Sequence, residues 1–186
     1  EVPVLEKKSQ KIPRAKLYVS RLNNEEFSPG EEMDGPFNSD KEHTGNGSYS
    51  ADGKRFYFTR CTDDRGANVT CDIYMSELED GEWGKPTKLD FNENDANDTH
   101  PISVPYRDNE IIIFSSDRPG GRGGMDLWFV MNLRGNWQAP RNMRSLNSPG
   151  DEVTPFYDVE DMLLYYSSNA SNRMQKTLGG FDIFVA

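Results

Sequence analysis

Long apolar runs are absent from this sequence of 186 residues. The longest, from Ile111 to Phe114, is far shorter than the roughly 20 apolar residues that a helix needs to cross a bilayer. No segment has the charged and then apolar layout of a signal peptide, and no window repeats apolar residues with the period of a helix. The sequence therefore predicts a soluble chain with little helix and no membrane insertion.

A basic surface is also lacking. The formal net charge is -10, and the acidic residues are spread along the chain rather than gathered in a tail. Nucleic acid needs a basic face that neutralises phosphates and releases their counterions. The basic residues between Lys7 and Lys16 have no aromatic residues among them, so we interpret them as a solvated lead-in. Nucleic acid is not expected as a partner.

Cysteine and histidine are scarce, with two of each, and this argues against a zinc site. Cys61 and Cys71 fall at the end of one predicted strand and just before the next, where a hairpin would bring them side by side. A disulfide there would contribute on the order of 2–3 kcal/mol by loop entropy. It would indicate an oxidising compartment: periplasm, cell surface or exterior. Two free thiols in a cytosolic protein are the alternative.

The chain does contain a repeat. Asp72, Asp126 and Asp182 each open an apolar segment, and they are spaced by about 55 residues, as in repeat proteins. Trp83 and Trp137 share this spacing, and each begins a Trp-x-x-Pro segment. A residue that recurs in every unit is expected to be structural, so we interpret the aspartates as partners of loop amides and the tryptophans as core residues.

Each unit contains four short strands separated by turns rich in Gly, Asn, Asp and Pro, which is typical of a β-propeller blade. A two-layer sandwich has no reason to repeat its sequence in this way. The predicted organisation is a linker or edge segment (1–15) followed by a propeller segment (16–186), divided into a partial blade (16–40), two blades (41–95 and 96–150) and a partial blade (151–186). Because rings normally have 4–8 blades, we expect this to be part of a larger ring.

Three stretches carry a family resemblance: Phe114–Trp128 with its Ser-Ser-Asp-Arg-Pro-Gly-Gly core, Ser50–Phe58, and Asn147–Pro155. They resemble the TolB-type, WD-like propeller repeat of periplasmic OmpA-family proteins, which include a component of the type IX secretion machinery. The resemblance covers about residues 16–186, although Lys16 and Phe27 stand where the pattern has Asp and Trp.

The resemblance implies an all-β propeller at the periplasm or outer membrane. Implied partners are other envelope proteins, the remainder of its own propeller or parent protein, and peptidoglycan through a domain outside this chain.

Several site-like features have simpler interpretations. The glycine run from Gly120 to Gly124 precedes a strand rather than a helix, which favours a flexible hairpin loop over a phosphate cradle. The turn from Ser50 to Gly53 is similar to the aspartate turn of sialidase propellers, but no arginine cluster or tyrosine nucleophile can be placed. His43 and His100 do not occupy equivalent positions, and neither has a Ser or Cys partner in a recognisable triad motif.

Calcium is a weaker alternative. Oxygen ligands are offered by Asp90, Asn92, Asn94 and Asp95, yet the sixth loop position is Asp95 rather than Gly and the twelfth is Pro101 rather than Glu. We therefore favour a solvated loop between blades.

The sequence predicts a protein that is not an enzyme, needs no cofactor, and acts as a protein-interaction scaffold. The contact candidates are the loops 60–71, 116–125 and 168–181, with Arg118 and Arg122 as leading residues whose replacement by alanine should weaken partner capture without loss of stability. The alternative is a glycan-acting enzyme, or a carbohydrate- or calcium-binding propeller, with site residues partly outside this chain.

Overall fold

The computed structural model describes residues 13–63, 69–170 and 179–186. Within these ranges every regular element is a β-strand, and no helix is present that could span a membrane. Most of the expected lead-in (1–15) and the tips of two candidate contact loops (64–68 and 171–178) lie outside the described residues. The strands are β1 (Tyr18–Val19), β2 (Leu22–Asn23), β3 (Glu26–Phe27), β4 (Glu31–Glu32), β5 (His43–Tyr49), β6 (Arg55–Asp63), β7 (Val69–Glu79), β8 (Glu82–Trp83), β9 (Thr87–Lys88), β10 (Asp98–Tyr106), β11 (Asn109–Ser116), β12 (Asp126–Leu133), β13 (Asn136–Trp137), β14 (Arg141–Asn142), β15 (Glu152–Asp158), β16 (Leu163–Ser168) and β17 (Asp182–Val185).

The strands form a row of antiparallel sheets, which we call blades I to IV. Blade II contains β5, β6 and β7, with a fourth strand split into β8 and β9, both paired with β7. Blade III repeats this pattern with β10 to β14. Blade I has the outer half only, β1 to β4, and blade IV has the inner three strands, β15 to β17. The predicted all-β propeller fold is confirmed.

The hydrophobic core lies between successive blades rather than within one sheet. Strand residues alternate between the two faces of their sheet, so each blade packs one face on the blade before and the other on the blade after. Tyr57 and Ile73 of blade II meet Phe114 and Trp128 of blade III in one fully or largely buried cluster. Equivalent clusters join blades I and II and blades III and IV.

The two recurring tryptophans lie at the outer edges of these clusters. The ring of Trp83 is 5.4 Å from that of Phe37, and the ring of Trp137 is 5.3 Å from that of Phe91, both in edge-to-face geometry. Such pairs are favourable beyond the area they bury. Both tryptophans therefore lie against apolar neighbours rather than standing as open platforms.

In blades I to III, an asparagine that follows the last strand bonds back to the backbone of the same blade. The side chain of Asn92 accepts a hydrogen bond from the Ile73 N–H (2.8 Å) and donates one to the Ile73 carbonyl (2.9 Å). Asn147 does the same with Leu127, both at 2.8 Å, and Asn38 with Leu17. Each amide group thus replaces one residue of a missing strand partner. We refer to Asn38, Asn92 and Asn147 as the asparagine clamps.

A second set of bonds joins the start of each blade to the blade before. The Cys71 N–H donates to the Asn97 side chain (3.0 Å), the Met125 N–H to Asp151 (2.9 Å), and the Ala15 N–H to His43 Nδ1 (3.0 Å). Only an acceptor is needed here, so three different residue types serve. His43 therefore has a structural role in the described fold.

The recurring aspartates do not all have the same partners. Asp126 is fully buried and accepts hydrogen bonds from the N–H groups of Arg122 and Gly123 and from the Asn142 side chain. Asp72 instead lies 2.8 Å from the ammonium group of Lys88, and Asp182 pairs in register with Ser168 at the start of β17.

The glycine-rich loop is closely packed rather than flexible. The Gly124 N–H donates to the Gly150 carbonyl at 3.0 Å. A Cβ at Gly123 would lie 2.0 Å from that same carbonyl oxygen, so no larger residue fits without moving backbone. Glycine is needed here for close approach of two backbone segments.

Arg118 is a core residue, which corrects the expectation that it is a surface contact. It is 8% exposed. Its guanidinium lies 2.7 Å from the Asp98 carboxylate and 3.2 Å from the Phe91 carbonyl, and it stacks over the rings of Phe114 and Trp128. Arg122 is exposed, but one of its guanidinium nitrogens donates to the carbonyls of Arg144 and Asn147.

The disulfide between Cys61 and Cys71 is present, as predicted. The two residues are cross-strand partners of β6 and β7, so the bond closes the described base of the 60–71 loop.

Replacing Arg118 with alanine should destabilise the fold strongly. Asp98 is fully buried, and removing its cationic partner leaves an uncompensated charge, so we expect a loss of about 3–5 kcal/mol in the free energy of unfolding. Chemical denaturation of Arg118→Ala measures it, with the exposed Arg141→Ala as control, expected to change by less than about 0.5 kcal/mol. A loss similar to that of the control would contradict the assignment.

Replacing Asn147 with aspartate tests the clamp. The carboxylate keeps the acceptor for the Leu127 N–H but faces the Leu127 carbonyl with a second acceptor, so a buried hydrogen bond becomes a repulsion. We expect a loss of roughly 2–3 kcal/mol, measured by denaturation. Asn94→Asp is the matched control because it adds the same charge at an exposed asparagine, and it should change the stability by less than about 0.5 kcal/mol. Equal stability of Asn147→Asp and the parent chain would rule out the clamp.

Candidate functional site

The innermost strands of three blades share a β-bulge at the same repeat position. The register shifts between Gly45 and Gly47 in β5, between Thr99 and Ile102 in β10, and between Val153 and Phe156 in β15. Bulges re-aim side chains and are frequent beside functional sites. The residues at their centres are Asn46, His100 and Thr154.

These three residues have left-handed backbone conformations, with φ angles of 47°, 54° and 51°. Asn tolerates this region, whereas a β-branched residue such as Thr154 is a genuine outlier there. The same strained geometry is thus built three times with three different side chains. The backbone position is common to the blades, and the chemistry at each position is not.

The three bulges border one groove, which we call the axial groove. Strand β10 contacts both β5 and β15, and the inner strands of successive blades surround the central channel of a propeller. The groove has a volume of about 220 Å³ and is lined by Asn46, Gly47, His100, Pro101, Ile102, Thr154, Pro155 and Phe156. None of these lining residues is acidic, and none is lysine or arginine.

The groove combines an apolar face with neutral polar groups. Phe156 is 60% exposed, and its ring supplies the apolar face. The His100 ring is partly buried, and its Nδ1 lies 2.8 Å from the Thr99 hydroxyl, while its backbone N–H donates to the Thr59 hydroxyl at 3.0 Å. Burial lowers the pKa of His100, which favours the neutral ring at neutral pH.

A second concave site lies at the turn end of blades II and III, and we call it the joint cleft. It has a volume of about 280 Å³ and is lined by Ala51, Asp52, Arg55, Ser103, Pro105, Asp108, Asn109, Glu110, Asn132, Arg134 and Gly135. Unlike the axial groove, it carries charges of both signs.

The floor of the joint cleft is a buried hydrogen-bond network around Glu110. Its carboxylate accepts hydrogen bonds from the hydroxyls of Tyr57 and Ser103, both at 2.6 Å, and lies 3.3 Å from the Arg55 guanidinium. Burial, together with the bond to Glu110, raises the pKa of Tyr57 far above its ordinary value. The tyrosine is therefore a fixed hydrogen-bond donor rather than a titrating group.

Asp52 occupies the rim of this cleft in a tight turn. Its side chain accepts hydrogen bonds from the Ser50 hydroxyl and the Lys54 N–H, which lower its pKa. Its other oxygen lies 3.4 Å from Arg55. The carboxylate is thus occupied by its own turn, as the turn interpretation of Ser50 to Gly53 predicted.

The calcium candidates are not gathered into a ligand set. Asn92 is one of the asparagine clamps, and Asp90, Asn94 and Asp95 are exposed. Within the described part of the chain, no group of three or more His, Cys, Asp or Glu residues could hold a metal ion. Calcium binding here therefore has no geometric support.

Sequence reasoning missed both the axial groove and the joint cleft. The bulge residues do lie one repeat apart, and Pro101 and Pro155 follow two of them, which was a usable signal. No shared residue type marks the position, however, because its common property is a backbone conformation.

Protonation of His100 should weaken the fold below neutral pH. A histidine whose pKa is lowered in the folded state contributes stability that is present above the unfolded pKa of about 6.5 and is lost as pH falls. We expect the free energy of unfolding to fall more between pH 7.5 and 5.5 in the parent chain than in His100→Asn, since asparagine occupies the same backbone position in blade II. Parallel pH profiles for the two proteins would contradict this.

No protein-family model matches the sequence, and a search of curated proteins finds no match. Among solved structures, the chain is similar to an endo-arabinase from Bacteroides thetaiotaomicron, with a TM-score of 0.53 and 19% sequence identity. The alignment covers 86% of this chain and 60% of that chain. This likeness concerns the fold, and it agrees with the propeller assignment.

The prediction that the chain is not an enzyme is corrected by this comparison. That prediction treated the propeller repeats as the mark of a scaffold. A solved protein with a similar fold is named as an enzyme, so the fold is no argument against catalysis.

Proposed function

We propose that this chain is part of a carbohydrate-active propeller and binds a neutral glycan in the axial groove. The observation that carries the proposal is the convergence of Asn46, His100 and Thr154 beside the exposed ring of Phe156. The sequence analysis gave a glycan-acting protein as its alternative hypothesis. The similarity in fold to an endo-arabinase supports this alternative.

The groove offers what a sugar ring requires. The apolar C–H face of a pyranose or furanose packs on Phe156, and its hydroxyls bond the amide of Asn46, the hydroxyl of Thr154 and the imidazole of His100. His100 Nδ1 already bonds the Thr99 hydroxyl, so Nε2 is the ring nitrogen that would meet a sugar hydroxyl, as donor or acceptor according to the tautomer. The lack of charged lining residues and the net charge of -10 disfavour polyanionic glycans.

Backbone strain at Thr154 supports a functional role for the groove. A left-handed conformation at a residue with a Cβ costs about 1–2 kcal/mol, and such strain persists where the surroundings enforce it, often at binding sites. The Thr154 hydroxyl also bonds the Ser167 hydroxyl at 2.8 Å, which orients it within the strand pair.

The residues that line the groove bind and orient the glycan. Hydrolysis of a glycosidic bond uses a pair of carboxyl groups, and the described lining contains none. In this proposal the proton-transfer groups come from outside these lining residues. The alignment spans 60% of the solved chain that this chain resembles. Glycan hydrolysis by the whole protein is therefore a proposal.

The disulfide supports an oxidising location. Cys61 and Cys71 are bonded, and such bonds persist in the periplasm and at cell surfaces. We propose the cell envelope on this ground. Its relation to TolB-type, peptidoglycan-associated proteins and to their envelope partners remains a proposal from sequence resemblance.

Glycan binding is tested with Phe156→Ala. A panel of neutral oligosaccharides and polysaccharides is screened by calorimetry against the chain, and the best ligand is then titrated. We expect the variant to bind at least about tenfold more weakly, because the ring supplies the apolar platform. Phe27→Ala is the matched control, since Phe27 is also exposed and lies in blade I, outside the lining of the groove.

The proposal fails if no neutral glycan binds, or if Phe156→Ala and Phe27→Ala have the same affinity as the parent chain. Thr154→Asn separates binding from folding. This substitution should raise the free energy of unfolding by roughly 1 kcal/mol through relief of backbone strain, and it should lower the affinity for the glycan.

A further inference from the structure

The polar network of the joint cleft occurs once in the described chain, whereas structural features recur in each blade. The cross-strand register makes Arg55 equivalent to Ile111 and Leu163, and it makes Glu110 equivalent to Lys54 and Met162. The joint between blades III and IV is thus apolar at positions where the joint between blades II and III holds a partly buried ion pair. The fold does not require this ion pair, so its presence needs another reason.

The inner charges of the cleft are already compensated. Arg55 lies between two carboxylates, 3.4 Å from Asp52 and 3.3 Å from Glu110, and Tyr57 and Ser103 complete the bonding of Glu110. Glu110 itself is only 8% exposed. These groups form a rigid polar floor that needs no ligand to neutralise it.

The rim is different, because it carries two charges without partners. Asp108 lies in the turn between β10 and β11, and Arg134 lies in the turn between β12 and β13. Both side chains are exposed, and both line the cleft. Among the described residues, neither side chain makes an ion pair or a hydrogen bond, with the other or with a third residue. Two opposite charges therefore face one cavity and do not close on each other.

We propose that the joint cleft is a second ligand site, for a small zwitterion that carries an ammonium and a carboxylate group, such as an α-amino acid. The ammonium pairs with Asp108 and the carboxylate with Arg134, whose guanidinium is suited to a planar anion. Asn109 and Asn132 also line the cleft. A volume of about 280 Å³ lies just below the range of drug-sized pockets and suits a ligand of this size.

This site is separate from the axial groove in chemistry and in position. The axial groove has no lysine, arginine or carboxylate in its lining, whereas the joint cleft has both signs of charge at the turn end of the strands. The proposal does not depend on glycan binding, and either site can be tested while the other is intact.

The experiment screens the proteinogenic L-amino acids by thermal shift and then titrates the best of them by calorimetry. We expect at least one to raise the Tm of the chain at millimolar concentration. Ethylamine and propionate, which carry one charge each, should bind at least about tenfold more weakly. Asp108→Asn and Arg134→Gln should each lower the affinity for the amino acid by a similar factor. The melting temperatures without ligand should be unchanged because both residues are exposed.

Matched controls are Asp161→Asn and Arg141→Gln, exposed residues outside the cleft, which should retain full affinity. Phe156→Ala should also retain it, so that failure of the glycan proposal does not count against this one. The proposal is overturned if no amino acid binds, if binding survives both rim variants, or if a neutral saccharide rather than a zwitterion is the ligand that those variants weaken.

Discussion

Blades I to III of this propeller each depend on a side chain that replaces a backbone partner. The chain leaves the sheet after its fourth strand, and the N–H and C=O of the residue early in the third strand then have no strand opposite them. Buried backbone groups of this kind must be paired. Asn38, Asn92 and Asn147 supply both a donor and an acceptor from one amide group. A carboxylate has no donor to offer, which explains why asparagine stands there in all three copies.

The second set of bonds follows the opposite rule. His43, Asn97 and Asp151 each accept a single N–H, and an imidazole, an amide or a carboxylate can do so. The chemical demand of the contact therefore sets how much the sequence varies at a repeat position. Arg118, Gly123 and Asp126 are also committed to holding the loops within the fold.

The sequence predicted the structure well where a structural position requires one particular residue type. The spacing of Asp126 and Trp137 from their counterparts predicted the blades, and the position of Cys61 and Cys71 predicted the disulfide. It misled for Arg118, because the burial of this residue depends on Asp98 and Phe91, which lie 20 and 27 residues earlier in the chain and reach it only in the folded state. An arginine in a glycine-rich loop resembles a surface contact until that pairing is known.

The bulges were missed for a related reason. Strands β5, β10 and β15 continue through Asn46, His100 and Thr154, where the register shifts. The side chains of these three residues have no common property that would indicate a shared backbone conformation. The backbone conformation at these positions recurs in these three blades, but the side chain does not. A repeated fold can therefore hold a binding site that occurs once.

Recurrence then separates structural from functional polar groups. Asn92 and Asn147 recur because every blade needs them, and their chemistry is consumed within the fold. Glu110 has no carboxylate counterpart in the other blades, and the joint between blades III and IV shows that apolar residues serve at the positions equivalent to Arg55 and Glu110. A buried ion pair is weak evidence for stability, since apolar replacements are often as stable or more so. Its retention at one joint is therefore better explained by what the cleft above it binds than by what holds the two blades together.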